Sequence, residues 1–155
     1  MRKQIFILIA AAALAGCNEE NKSETTGRLF KVSGTLTNSN ADTIYLEEIP
    51  MATMQRKIVD SAIISASGKY ELKTRTDAEG VYALRLDKNQ YPSVTLVKDT
   101  NEIVINASFN EKGNEYAESY EVTGSPASVK LKEYLSGFGI SLLELYKTDM
   151  TVDSL

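Results

Sequence analysis

The sequence predicts a mostly β domain: an antiparallel β-sandwich or open barrel of about eight strands, followed by one C-terminal amphipathic helix. Two observations support this fold class. Between Phe30 and Thr123, short runs of alternating apolar and polar residues recur, and turn residues separate them at the spacing of hairpins. After Gly124 the apolar residues instead recur every three or four positions, which is typical of a helix that is apolar along one side.

Each run is delimited by residues that favour turns. Ser67-Gly68 ends one run, and Pro92 lies at the start of another, where the missing amide hydrogen is tolerated. Tyr70 and Leu72 alternate with lysines, so we expect one side of that strand to face solvent. The predicted strands span residues 30–36, 43–47, 57–64, 69–74, 81–86, 92–97, 102–109 and 120–123.

A helix is predicted to follow the strands. Ser125 suits the N-cap position and Pro126 the first helical position. We assign residues 125–147 to this helix, or to a linker leading to a further domain, and 148–155 to a tail. Its apolar stripe consists of Leu131, Leu135, Phe138, Leu142 and Leu145. The stripe either covers the open face of the sheet, begins a helical hairpin that leads into another domain, or mediates self-association.

Residues 1–16 have the features of a secretory signal. Arg2 and Lys3 are basic, and the apolar run after them is too short to span a bilayer as a mature helix. Leu14-Ala15-Gly16-Cys17 resembles the lipobox of bacterial lipoproteins. The resemblance implies cleavage before Cys17, a diacylglycerol on its sulfur and a third acyl chain on the new amino terminus. The alternative is an ordinary signal peptide followed by a chance cysteine.

Residues 17–29 are polar and are predicted to form a flexible tether between the lipid and the folded domain, residues 30–124. Two or more acyl chains give stable anchoring, so we expect the protein to reside in the cell envelope, attached to the outer membrane. The acidic pair Glu19-Glu20 resembles the signal that sends some lipoproteins to the cell surface. Both the periplasmic face and the surface therefore stay open.

The composition argues against an enzyme among these residues. The chain has no His, no Trp and one Cys. The usual general base near neutral pH is therefore missing, and no intramolecular disulfide or redox cysteine pair can form. We predict no catalytic residue, cofactor site or metal site. The net charge is −4 and no basic patch stands out, so nucleic acid is not an expected partner.

Several segments together resemble a known family. They are Phe30-Lys31-Val32-Ser33-Gly34-Thr35-Leu36, Asp42-Thr43-Ile44-Tyr45-Leu46, Asp60-Ser61-Ala62, Gly68-Lys69-Tyr70 and Glu121-Val122-Thr123-Gly124-Ser125. The resemblance is to the N-terminal β-rich domain of unknown function of Gram-negative envelope lipoproteins, which precedes a TlpA-type thioredoxin-like disulfide reductase domain. That domain's Trp-Cys-x-x-Cys motif is not in this sequence, so the resemblance implies a fragment of a longer oxidoreductase and transfers no catalytic residue.

Two weaker patterns give candidate sites. Tyr91 and Tyr116 lie beside predicted turns and are candidate contacts for a glycan or peptide, although tyrosine also packs well on sheets. The triplets around Thr43, Ser61 and Ser154 resemble acceptors of a periplasmic O-glycosylation system.

The resulting hypothesis is a lipid-anchored, non-catalytic accessory domain of a thioredoxin-like thiol-disulfide oxidoreductase. Two alternatives remain open. One is a stand-alone lipoprotein that binds a glycan or peptide, and the other is a structural or assembly lipoprotein that associates through the apolar stripe.

Overall fold

The computed structural model describes residues 27–110 and 117–138, which form two four-stranded sheets and the start of a helix. The strands are β1 (Leu29–Thr37), β2 (Thr43–Ile49), β3 (Lys57–Ile63), β4 (Lys69–Arg75), β5 (Gly80–Leu86), β6 (Val94–Lys98), β7 (Glu102–Ser108) and β8 (Ser119–Thr123). Helix α1 covers 126–138 of the described range. The predicted fold class is confirmed, and all the predicted strands occur.

The alternation of side chains explains how the sheets pack. In β4, Tyr70 and Leu72 are buried while Lys69 and Lys73 are exposed. Both sheets direct their buried rows toward each other, so the molecule is a sandwich and not a closed barrel. Its most deeply buried apolar side chains are Phe30, Val32, Ile44, Leu46, Leu72, Leu96, Ile103 and Ile105. Burial of each stabilises the fold by about 1.5–3 kcal/mol relative to exposure.

The strand order is not a chain of hairpins, because β1 pairs with β4 and β7, and β2 pairs with β5. The first sheet has the order β4-β1-β7-β8 and the second the order β3-β2-β5-β6. Strands β1 and β7 pair in parallel, so the first sheet is mixed, whereas every pair in the second is antiparallel. Between β1 and β7 the chain forms β4 and the whole second sheet, and this long crossover allows the parallel direction.

Gly34 is required where β1 passes close to β7. A Cβ at this position would lie 1.8 Å from the carbonyl oxygen of Ile105. The Tyr70 hydroxyl donates a hydrogen bond to the same oxygen at 2.9 Å, so it occupies the space that a side chain at position 34 would need. Burial raises the pKa of the Tyr70 hydroxyl, which therefore remains a donor throughout the physiological range.

The described residues contain no helix with the length and apolar character needed to cross a membrane.

Candidate functional site at the tether end of the sandwich

The first turn of α1 is attached to the edge strand β6 by two buried serines. Ser128 Oγ accepts a hydrogen bond from the Val97 amide at 2.8 Å and donates to the Val97 carbonyl at 3.0 Å. Ser125 Oγ lies 2.6 Å from Ser128 Oγ and accepts from the Ser128 amide at 3.0 Å, which confirms the predicted N-cap. The outward backbone groups of Val97 are thus satisfied, and another strand cannot pair with β6 at this position.

Asp99 makes a second attachment. Its Oδ2 accepts a hydrogen bond from the Ala127 amide at 2.9 Å, at the positive end of the helix dipole. Burial alone would raise the pKa of the Asp99 carboxyl, but hydrogen bonds from Ser125 and from the Ala127 amide outweigh it and hold that pKa below its usual value. Asp99 therefore stays ionised, and the turn between β6 and β7 is fixed to the helix start.

The chain enters the sandwich at this same end. Arg28 directly precedes β1; its amide donates to Asp77 Oδ1 at 3.2 Å, and its carbonyl accepts from the Thr76 amide at 3.0 Å. A cavity of about 220 Å³ lies here, and it is lined by Arg28, Asp77, Glu79, Lys98, Asp99, Thr100 and Asn101. Because Arg28 and Asp99 border one cavity, the start of β1 and the start of α1 lie at one end of the sandwich, which we call the tether end after the predicted tether of residues 17–29.

Beyond its first turns, α1 leaves the sandwich. Lys132 Nζ lies 5.1 Å from the ring centroid of Tyr120 in β8. Farther along, Tyr134, Leu135 and Phe138 are 68%, 43% and 54% exposed. The expectation that the apolar stripe covers a sheet face is therefore wrong for Leu135 and Phe138, because the described contacts of α1 with the sheets involve only its beginning.

Leu131, the first residue of the stripe, is half-buried. Leu142 and Leu145 lie outside the described residues.

A second polar cluster lies on the outer face of the second sheet. Glu47 is only 4% exposed, and its carboxylate lies between Arg85 Nε at 2.6 Å and Arg56 Nη1 at 3.2 Å. The Arg85 guanidinium also lies over the Tyr45 ring, 4.6 Å from its centroid. Arg56 donates to the Gln90 carbonyl as well, so the cluster ties the loop after β2 to the loop after β5. We interpret this cluster as structural, because its charges are already paired with each other.

A polar cavity of about 500 Å³ lies at the opposite end of the sandwich. It is lined by residues 35–42 and 64–68, and Asp42 is the single charged side chain among them. No aromatic ring borders it, so it lacks the flat apolar surface on which a sugar would stack.

The comparisons with known proteins give a family. The family described as a domain of unknown function, DUF4369, matches residues 30–131, which is more than half of the 155-residue chain. The chain belongs to the DUF4369 family. A comparison with curated proteins gives no match.

The segment that matches DUF4369 ends within α1, at residue 131. The matched segment contains the strands β2 to β8 completely, together with Ser125, Ser128 and Asp99, which attach the helix. The exposed residues Leu135 and Phe138 come after it. The attachment of the helix start is therefore part of the DUF4369 domain, whereas the exposed apolar surface of α1 lies beyond the matched segment.

The candidate residues predicted from the sequence are placed only in part. Tyr91 is 53% exposed in the loop before β6 and borders neither cavity. Thr43 and Ser61 lie on adjacent strands and share the outer face of the second sheet, since Ser61 pairs with Tyr45 and Ile63 with Thr43. Ser61 is exposed and Thr43 half-buried.

Cys17, Tyr116 and Ser154 lie outside the described residues. Among the residues that are described, no group of three or more acidic, His or Cys side chains could hold a metal ion.

The sequence reasoning missed Lys98. Val94 and Leu96 are buried in β6, and the period of two continues this row to Lys98, which is only 5% exposed. The alternation was a usable signal, because a lysine in the third position of a buried row is uncommon.

Proposed function

We propose that this DUF4369 domain is a lipid-anchored, non-catalytic accessory domain that orients a thioredoxin-like thiol-disulfide oxidoreductase domain following α1. The observation that carries the proposal is the arrangement at the tether end. The start of α1 is attached to the sandwich by Ser125, Ser128 and Asp99, and the helix then presents exposed apolar side chains. An attached helix gives whatever it carries a defined direction relative to the sandwich.

The anchor is proposed at Cys17. With 13 residues from Cys17 to Leu29, a flexible tether has a root-mean-square length of about 20 Å. The tether end of the sandwich would therefore stay near the outer membrane, on its periplasmic face or at the cell surface. A three-chain anchor would hold it there stably.

The exposed side chains of α1 support a contact with a further domain. Tyr134 and Phe138 stack, with ring centroids 6.4 Å apart, and Leu135 lies between them in sequence. Exposing three large apolar side chains on one helix segment to water is unfavourable, so their burial against a neighbouring domain would stabilise the protein.

The test is the intact mass of the protein extracted from its native membrane fraction, beside a Cys17→Ala variant. We expect an acylated species that exceeds residues 17–155 by a domain of about 100 or more residues. We also expect the variant to lose the acyl mass and leave the membrane fraction. An acylated mass that equals residues 17–155 would exclude the accessory role, and an unacylated native chain would exclude the anchor.

Self-association through the stripe Leu131, Leu135, Phe138, Leu142 and Leu145 is a second candidate, favoured by the exposure of Leu135 and Phe138. Its test is sedimentation of the mature chain over a range of concentrations. Dimerisation that Leu135→Asp abolishes would support it, provided that Ser136→Asp, at the neighbouring exposed position, leaves it intact. A monomer at every concentration would exclude it.

A further inference from the structure

The Lys98 side chain is largely buried, and its ammonium has no charged partner among the described residues. It ends the inward-facing row of β6 and is 5% exposed. Within the described residues its ammonium forms no ion pair and donates no hydrogen bond. Its ammonium lies 5.8 Å from the centroid of the Phe30 ring, at the outer limit of a cation–π contact. The ammonium therefore has no strong partner among the described residues.

Acidic residues border the same cavity of about 220 Å³. The Asp99 carboxylate is held by the helix start, with Oδ1 buried and Oδ2 bonded to the Ala127 amide. Glu79 forms no ion pair with any described residue and lies at the exposed rim. Asp77, by contrast, is engaged by Arg28 at 3.6 Å. Lys98 and Glu79 therefore border one cavity, and neither forms an ion pair with a described residue.

We propose that this cavity binds a small zwitterion whose anionic group contacts Lys98 and whose ammonium group contacts Glu79. A simple anion fits less well, because three carboxylates line the cavity and would repel it. A metal ion is not favoured by the residues present, since no described cluster of acidic side chains has the required geometry. The cavity volume suits a small molecule, because it lies below the usual range of about 300–1,000 Å³ for a drug-sized pocket.

Two kinds of ligand combine an anionic group with a nearby ammonium group. One is an α-amino acid, with a carboxylate beside an ammonium group. The other is the phosphoethanolamine headgroup of a lipid, with a phosphate beside an ammonium group. The second source rests on the proposed membrane anchor, since the tether enters at this end, but the cavity itself does not depend on that proposal.

The test is a titration of the ¹⁵N-labelled mature chain, carrying Cys17→Ser, followed through the amide signals of Thr100 and Asn101. The probes are glycine and O-phosphoethanolamine, with acetate and methylamine as their singly charged halves. We expect saturable shifts with at least one zwitterion, and binding of either half weaker by about tenfold or more, which corresponds to about 1.4 kcal/mol. Binding of glycine but not O-phosphoethanolamine would identify an amino acid as the ligand. Binding of O-phosphoethanolamine but not glycine would identify the lipid headgroup.

Variants separate this site from nonspecific binding. Lys98→Met should weaken zwitterion binding by about tenfold or more, whereas Lys57→Met, at an exposed position of β3, should not change it. Glu79→Gln, at the exposed rim, should weaken zwitterion binding without affecting the fold. The absence of saturable shifts, equal binding of acetate, or unchanged binding by Lys98→Met and Glu79→Gln would each overturn the proposal. None of these outcomes depends on acylation or on a following domain.

Discussion

The attachment of α1 to β6 predicts a specific effect of Ser128→Ala. The Ser128 hydroxyl is fully buried and serves both backbone groups of Val97, at 2.8 Å to the amide and 3.0 Å to the carbonyl. Its removal leaves these two groups without their partner and also deprives Ser125 Oγ of its contact at 2.6 Å. The substitution is small, so it removes hydrogen bonds without introducing a clash.

The magnitude follows from these contacts. A buried polar group left unsatisfied costs about 1–3 kcal/mol, and the half-buried position of Val97 places the cost toward the lower end. Alanine recovers a few tenths of a kcal/mol through its higher helix propensity. We therefore expect Ser128→Ala to lower the free energy of unfolding by about 1–2 kcal/mol, or the melting temperature by about 4–8 °C.

The assay combines thermal unfolding of the mature chain with hydrogen exchange at the Val97 amide. Ser136→Ala is the matched control, because Ser136 is exposed on the same helix; its effect should stay within about 0.5 kcal/mol. We expect Ser128→Ala to accelerate exchange at Val97, and the control to leave it unchanged. If both variants have equal stability and Val97 stays protected in both, these serines do not attach the helix, and the proposed orienting role loses its support.

Three further outcomes are expected. Gly34→Ala should prevent folding or cost more than about 3 kcal/mol in urea denaturation, because its Cβ would collide with the Ile105 carbonyl. Arg85→Met should cost about 3–5 kcal/mol, since Glu47 would stay buried with one of its two partners missing, whereas Lys57→Met should be near neutral in the same assay. Asp99→Asn should make the free energy of unfolding less dependent on pH below about 4. Folding lowers the pKa of the Asp99 carboxyl. The stabilisation by this carboxylate is therefore complete above its unfolded-state pKa of about 3.9 and is lost as the pH falls through its folded-state pKa.

The strands could be predicted because their signals are local. Alternation and turn residues are read within a few positions, and both describe β4 and the turn at Ser67-Gly68 correctly. The signal for the start of α1 was equally local, because Ser125 and Pro126 lie next to or within the first helical turn. Pairing between distant segments has no such signal, so the parallel neighbours β1 and β7 could not be recognised from hairpin spacing.

Side-chain environments were harder to predict than strands. Alternation places Glu47 on the same side of β2 as Tyr45, away from Leu46. It cannot show that the neighbouring strand β5 supplies Arg85 or that the loop after β2 brings Arg56 to the carboxylate. The apolar stripe predicted a helix correctly at Leu131 and Leu135, yet periodicity contains no information on what the stripe contacts. The burial of a side chain depends on which distant segments pack against it, and the residues next to it in sequence do not indicate which segments these are.

The parallel pair explains why the candidate features share one end of the sandwich. Strand β1 begins at the tether end, and β7 begins beside it, since Lys31 pairs with Glu102. Strand β8 runs antiparallel to β7 and returns, with Thr123 opposite Val104, so α1 must start where β1 began. The turn from Lys98 to Asn101, which leads into β7, lies at that end for the same reason. Had β7 run antiparallel to β1, α1 would start at the far end, away from the start of β1. The parallel pairing of β1 and β7, which hairpin spacing could not predict, thus brings the start of β1, the Lys98 cavity and the start of α1 together.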